Sequence, residues 1–142
     1  MSLDSQVTDI KTRLEYIQQA MNNQDVEAFL LCFQETYASE QPAHPGRDFS
    51  GHAMVRKNWE TIFSGVPDFH AELLRYTPEN DIVWTEWHWS GTRTDGSAFE
   101  MCGVILWGVE AGRIAWGRLY MEPVEQDEIG ISGMINAMTS SS

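Results

Sequence analysis

Residues 82–121, IVWTEWHWSGTRTDGSAFEMCGVILWGVEAGRIAWGRLYM, decide the fold. Along 82–93, 98–109 and 113–122 apolar and aromatic side chains recur with the two-residue period of strands that show unlike faces. Between these runs stand Thr94-Asp95-Gly96-Ser97 and Glu110-Ala111-Gly112-Arg113. Asp-Gly is a strong two-residue hairpin signal and Ala-Gly a weaker one, so the runs read as an antiparallel meander. A further run at 69–77 joins it through Pro78-Glu79-Asn80-Asp81.

Turn length sets register, and register sets which side chains share a face. With Asp95-Gly96 and Ala111-Gly112 as two-residue turns, one face carries the rows Thr85–Leu106–Gly117, Trp87–Val104–Leu119 and Trp89–Cys102–Met121. The other carries Trp84–Trp107–Trp116, Glu86–Ile105–Arg118 and His88–Gly103–Tyr120. A bulge would shift these rows. The first set is apolar with small residues and suits packing under helices around a cavity. The second is amphipathic and aromatic. Its plainer reading is a homodimer interface through Trp84, Trp107, Trp116, Arg118 and Tyr120, residue types enriched in such contacts. Its sharper reading is a catalytic quartet, Glu86, His88, Arg118 and Tyr120, converging on Gly103.

Upstream of the strands the period changes to that of helices. Val7, Ile10, Leu14, Ile17 and Met21 form one apolar stripe along 5–22. Asp25 is placed to cap a second helix carrying Val26, Phe29, Leu30 and Phe33. A loop from Tyr37 to Phe49 follows, and Val55, Trp59, Ile62 and Phe63 mark a third helix stopped by Gly65 and Pro67. Helices first and a meander last predict an α+β domain over residues 1–125, helices on one face of a curved antiparallel sheet. Residues 126–142 read as a tail with a short docking helix, fraying from Thr139 to Ser142.

Composition narrows the function classes. The chain has 142 residues, nine Lys+Arg against 21 Asp+Glu, and a formal net charge of −12. Such a charge repels phosphate backbones and anionic lipid, so nucleic acid and membranes are not expected partners. Cys32 and Cys102 form no CxxC pair, which fits a reduced, cytoplasmic protein. His44, His52, His70 and His88 lack metal-ligand spacing, and no phosphate-loop, dinucleotide or nucleophile-elbow motif is present, so no metal and no cofactor are expected.

Two N-terminal helices, the Asn22-Asn23-Gln24-Asp25 turn, Gly51-His52 opening a helix with Trp59, and a four-strand meander resemble the nuclear transport factor 2-like superfamily in its SnoaL-like branch. Trp89-Ser90-Gly91-Thr92, Gly103-Val104 and Gly112-Arg113-Ile114 carry the resemblance locally. It implies a cone-shaped, cystatin-like α+β roll, usually a homodimer, with a pocket between helices and sheet. The family includes ketosteroid isomerases, polyketide cyclases, epoxide hydrolases and plain binding proteins, so fold does not choose among them. The positions of the family's acids fall on Gln41, Val104 and Leu119, its pocket tyrosine on Ile17, and an Arg–Asp pair on Trp87 and Trp89. Direct transfer of those mechanisms therefore fails.

Glu40 with His44, beside the missing base position, is the remaining acid–base pair for proton transfer in such a pocket. Tyr37, Trp59, Trp87, Trp89, Cys102, Val104, Leu119 and Met121 are the expected pocket lining. The ligand they suit is a small hydrophobic molecule. An isomerase, cyclase or hydratase without cofactor is one reading, and a non-catalytic binding or dimerisation module is the other.

Overall fold

The computed structural model describes residues 3–140. The stripe ending at Met21 forms α1 (Leu3–Asn22), and α2 follows (Val26–Leu30), its first turn capped by Asp25, whose Oδ1 accepts from the Ala28 N–H at 3.0 Å. Then come β1 (Phe33–Glu40), a 3-10 turn at Pro45–Arg47, β2 (Phe49–Ser50) and α3 (His52–Gly65). The meander is β3 (His70–Glu79), β4 (Ile82–Thr92), β5 (Ala98–Glu110) and β6 (Arg113–Pro123). A last helix, α4 (Gly130–Thr139), includes Thr139, whose Oγ1 donates to the Ile135 carbonyl. The expected fraying of Ser141 and Ser142, and the place of Val7 in the stripe, fall outside the described residues and side chains.

The six strands form one sheet in the order β2-β1-β6-β5-β4-β3. All neighbours are antiparallel except β1 and β6, which run parallel. The expected antiparallel meander is therefore correct for β3–β6, and the sheet as a whole is mixed. Phe33, expected on the second helix, instead opens β1. The helix stops at Leu30, and Ile114 N–H donates to the Cys32 carbonyl at 2.9 Å to start the β1–β6 pairing. Tyr37–Glu40, expected in a loop, continue that strand.

At the far edge α1 closes β3. Asn22 exchanges two hydrogen bonds with the backbone of Ala71, at 3.0 and 2.6 Å, and Gln18 accepts from the Leu73 N–H at 2.6 Å. Side-chain amides thus occupy backbone groups an edge strand would otherwise offer to another chain.

Register is where the structure departs most from the reading of the turns. The β4–β5 loop has three residues, Thr94–Gly96, closed by Arg93 N–H to Ser97 O at 2.8 Å, with Gly96 at φ 87°. A three-residue loop ending in a left-handed glycine slips β5 by one position relative to a two-residue turn. Trp87 faces Gly103, Trp89 faces Met101 and Thr85 faces Ile105. Near Ala111-Gly112 the expected pairing holds, but a bulge between Gly108 and Val109 shifts the rest, so Gly103 faces Met121 and Ile105 faces Leu119.

The covered face therefore carries Val83, Thr85, Trp87 and Trp89 on β4, Gly103, Ile105 and Trp107 on β5, and Gly117, Leu119 and Met121 on β6. β4 and β6 present the expected faces; β5 is inverted. Cys102 and Val104 point to the open side, where Cys102 is exposed. Trp107, expected at the outer interface, is 6% exposed and belongs to the core.

Candidate functional site

The covered face is filled by its own aromatic side chains. Trp89 meets Trp59 of α3 edge-on at 5.4 Å, Phe69 sits 5.6 Å from Trp59 and 5.8 Å from Trp89, and Phe29 and Phe33 extend the cluster. Of the expected pocket lining, the structure brings Tyr37, Trp59, Trp87, Trp89, Leu119 and Met121 to this interior and sends Cys102 and Val104 away from it. Trp87 is completely buried. Its indole N–H donates to Thr85 Oγ1 at 2.7 Å, and that hydroxyl donates to the Ile105 carbonyl at 2.7 Å. The indole nitrogens of Trp89 and Trp107 are buried with no hydrogen-bond partner. Burial pushes the Tyr37 hydroxyl up to about 12, offset in part by its bond to Ser39.

Glu40 and His44 do not meet. Glu40 ends β1 opposite Arg118 and accepts from its guanidinium at 3.1 Å, while His44 Nε2 lies 2.7 Å from Glu122 Oε1. Both partners sit on the open side of β6, so the two groups face away from the aromatic interior. The alternative quartet is also dispersed. Glu86 pairs with Arg75 at 2.7 Å, His88 with Glu100 at 2.7 Å, and Arg118 with Glu40. Val104, not Gly103, stands between Glu86 and Tyr120. Gly103 has a backbone reason instead: its φ is 151°, and a Cβ there would lie 2.0 Å from the Tyr120 carbonyl oxygen. His52 Nε2 is 2.9 Å from the Phe33 carbonyl oxygen, a structural contact, and His70 is exposed. Among the described residues no group of three His, Cys, Asp or Glu could hold a metal ion.

A large concave feature lies elsewhere, at the end of the roll where α1, the close of α2 and the β3–β4 and β5–β6 turns come together. It is an open groove of about 1020 Å³. Its lining includes Ile10, Leu14 and Ile17 from α1 together with Val83, Trp107 and Ile114 from the strands. These are buried or half-buried, whereas Asp9, Arg13, Asp81 and Arg113 stand exposed around it. Asp9 and Arg13 pair at 3.1 Å, and Arg13 also donates to the Gly112 carbonyl. The Cys32 thiol, which also lines the groove, is pushed up to about 11 by burial against a smaller opposing pull from Arg13, so at neutral pH it stays protonated and weakly nucleophilic.

The turns hid this site. Ile10, Leu14 and Ile17 are visible in the helical stripe, but Trp107 is assigned to the wrong face once Asp95-Gly96 is taken as a two-residue turn. The usable signal was Thr94-Asp95-Gly96 read as a three-residue loop with glycine at its left-handed position.

Among solved structures, the chain resembles a proposed aromatic ring hydroxylase from Novosphingobium aromaticivorans with a TM-score of 0.71 at 16% identity, over 87% of this chain and 96% of that one. IdmH, a proposed polyketide cyclase from Streptomyces antibioticus, matches with a TM-score of 0.68 at 20% identity, over 79% and 91%. A protein of ketosteroid isomerase-like fold from Catenulispora acidiphila, solved with trimethylamine, matches with a TM-score of 0.63 at 13% identity, over 75% and 82%. At these identities the likeness establishes the fold alone. No curated protein matches the sequence. The family model described as "SnoaL-like domain" matches residues 14–116, from the buried face of α1 to the paired middle of β6. That span holds most of the α+β roll and its aromatic interior, and the chain belongs to the SnoaL-like domain family.

Proposed function

We propose that the protein binds a small hydrophobic molecule in the groove beside α1, and that binding rather than proton transfer is what this site does. One observation carries the reading: the apolar side chains of Ile10, Leu14, Ile17, Val83, Trp107 and Ile114 are among those that line the groove, and the charged groups that line it are exposed. Its volume lies at the upper end of the range for small-molecule sites, and a few polar groups around an apolar interior are their usual composition. General acid–base chemistry needs a titratable group within hydrogen-bond reach of the reacting atom. Glu40 and His44 are each engaged by a β6 side chain on the other side of the sheet.

Titration with the neutral fluorophore N-phenyl-1-naphthylamine tests the reading. Saturable enhancement is expected, with Ile10→Glu weakening it at least tenfold while circular dichroism stays that of the parent. Enhancement that is absent, or that Ile10→Glu leaves unchanged, overturns the assignment.

A further inference from the structure

The last helix presents a second apolar surface that none of the described residues covers. Ile131, Met134, Ile135 and Met138 recur at helical spacing on α4, and all four are exposed. Residues 129–142 contain no charged side chain, in a protein of formal net charge −12. Immediately before them, Glu125, Asp127 and Glu128 form an acidic link. The groove is the complement of this arm. Its lining is mostly apolar and includes the exposed Leu31 and Tyr16, with Asp9 held by Arg13 and Asp81 exposed beside them. Arg113 stands there without an ion-pair partner among the described residues.

Geometry keeps the start of the arm from its own groove. Val124 N–H is bonded to the Glu100 carbonyl at 3.0 Å, which pins the chain at the β4–β5 end of the sheet. Ile114, in the groove, lies ten residues back along β6, roughly 33 Å away at ~3.3 Å per residue. Residues 125–129 span at most about 18 Å even when fully extended. A helix starting at Gly130 therefore begins well short of the groove of its own subunit.

We propose that α4 of one copy lies in the groove of a second copy, reciprocally, with the acidic link against Arg113 and the apolar stripe against Leu31 and the groove interior. An uncharged helix is the segment best able to approach another molecule of this acidity, because it adds no like-charge repulsion of its own. The inference rests on the reading of the groove as a binding site and gives that site a regulator: the arm and a small hydrophobic ligand exclude one another. By linkage, ligand then favours the separated subunits.

Sedimentation of the full chain at micromolar concentration tests it without any ligand. A dimer is expected, with Ile135→Asp on the arm and Leu31→Asp at the groove each raising its dissociation constant at least 30-fold. Both side chains are exposed, so neither change needs to disturb the core. An equimolar mixture of the two variants should associate where each alone does not, since one intact arm then meets one intact groove. Arg113→Glu should weaken the dimer about fivefold, and Glu128→Arg should restore it. A monomeric parent, or a dimer indifferent to Leu31→Asp (arms packing on each other), or one indifferent to Ile135→Asp (another face in contact) each overturns the proposal. Failure of N-phenyl-1-naphthylamine to bind the unassociated Ile135→Asp variant, whose groove is intact, would remove the ligand reading while leaving the dimer result standing.

Discussion

On the covered face of the sheet Trp87 is sealed from water and its N–H reaches Thr85. One residue along, on the open face, His88 holds Glu100 in partial contact with solvent. The open face repeats that solution, with Arg75–Glu86, Arg118–Glu40 and His44–Glu122 as further pairs. Its charges meet each other in a medium that screens them, and such pairs contribute little to stability. The covered face holds few polar atoms, and each is costly to leave without a partner. The difference teaches where the fold is determined: by close packing and a short hydrogen-bond chain on one side, with the ion pairs of the other side adding little.

Substitutions can break that contrast. Trp87→Ala should cost about 3–5 kcal/mol in urea unfolding, the cost typical of a buried aromatic reduced to alanine. Gly103→Ala should cost about 3 kcal/mol, because the new Cβ meets the Tyr120 carbonyl and the φ of 151° is one that side chains resist. A loss is also expected at high pH. Tyr37 titrates near 12 and Cys32 near 11 in the folded state, above their ordinary 10.0 and 9.0. The folded chain therefore holds those protons more tightly than the unfolded one. Stability should be full below pH 9 and fall between pH 9 and 12, with Tyr37→Phe removing the upper part, on the order of 2 kcal/mol.

Thr85→Val should cost about 1–3 kcal/mol, since it leaves the Trp87 N–H without its acceptor. Arg118→Ala on the open face should change stability by less than about 1 kcal/mol and lose even that in high salt. An Arg118 effect as large as that of Thr85 would dissolve the distinction between the faces.

Much of this was legible in the chain. The helical stripe, the Asp25 cap, the stop at Gly65-Val66-Pro67 and the strand runs are local patterns, and each element appears near its expected place. β1 was not legible as a strand, because its partner β6 lies some 80 residues ahead and no local alternation announces it. The inversion of β5 has a single cause: one residue in the loop after Arg93. Asp-Gly serves both two- and three-residue hairpins, and only the backbone bond from Arg93 to Ser97 distinguishes them here. Glu40 and His44 looked like a pocket pair because they share a loop. Their partners, Arg118 and Glu122, come from the open face of β6, 78 residues further along the chain, and no local pattern links that strand to the loop.

The parallel pairing of β1 with β6 also dictates an order of events on the ribosome. Phe33–Glu40 leave the exit tunnel long before Arg113–Pro123 are made, and at about 5–20 residues per second the wait lasts roughly 4–16 s. Throughout that interval Phe33 and Tyr37 have no sheet to join, and the nascent chain presents an apolar strand with free backbone groups to whatever is nearby. The sheet can be completed only after the meander has been synthesised, so the N-terminal third of the polypeptide is made first and secured last.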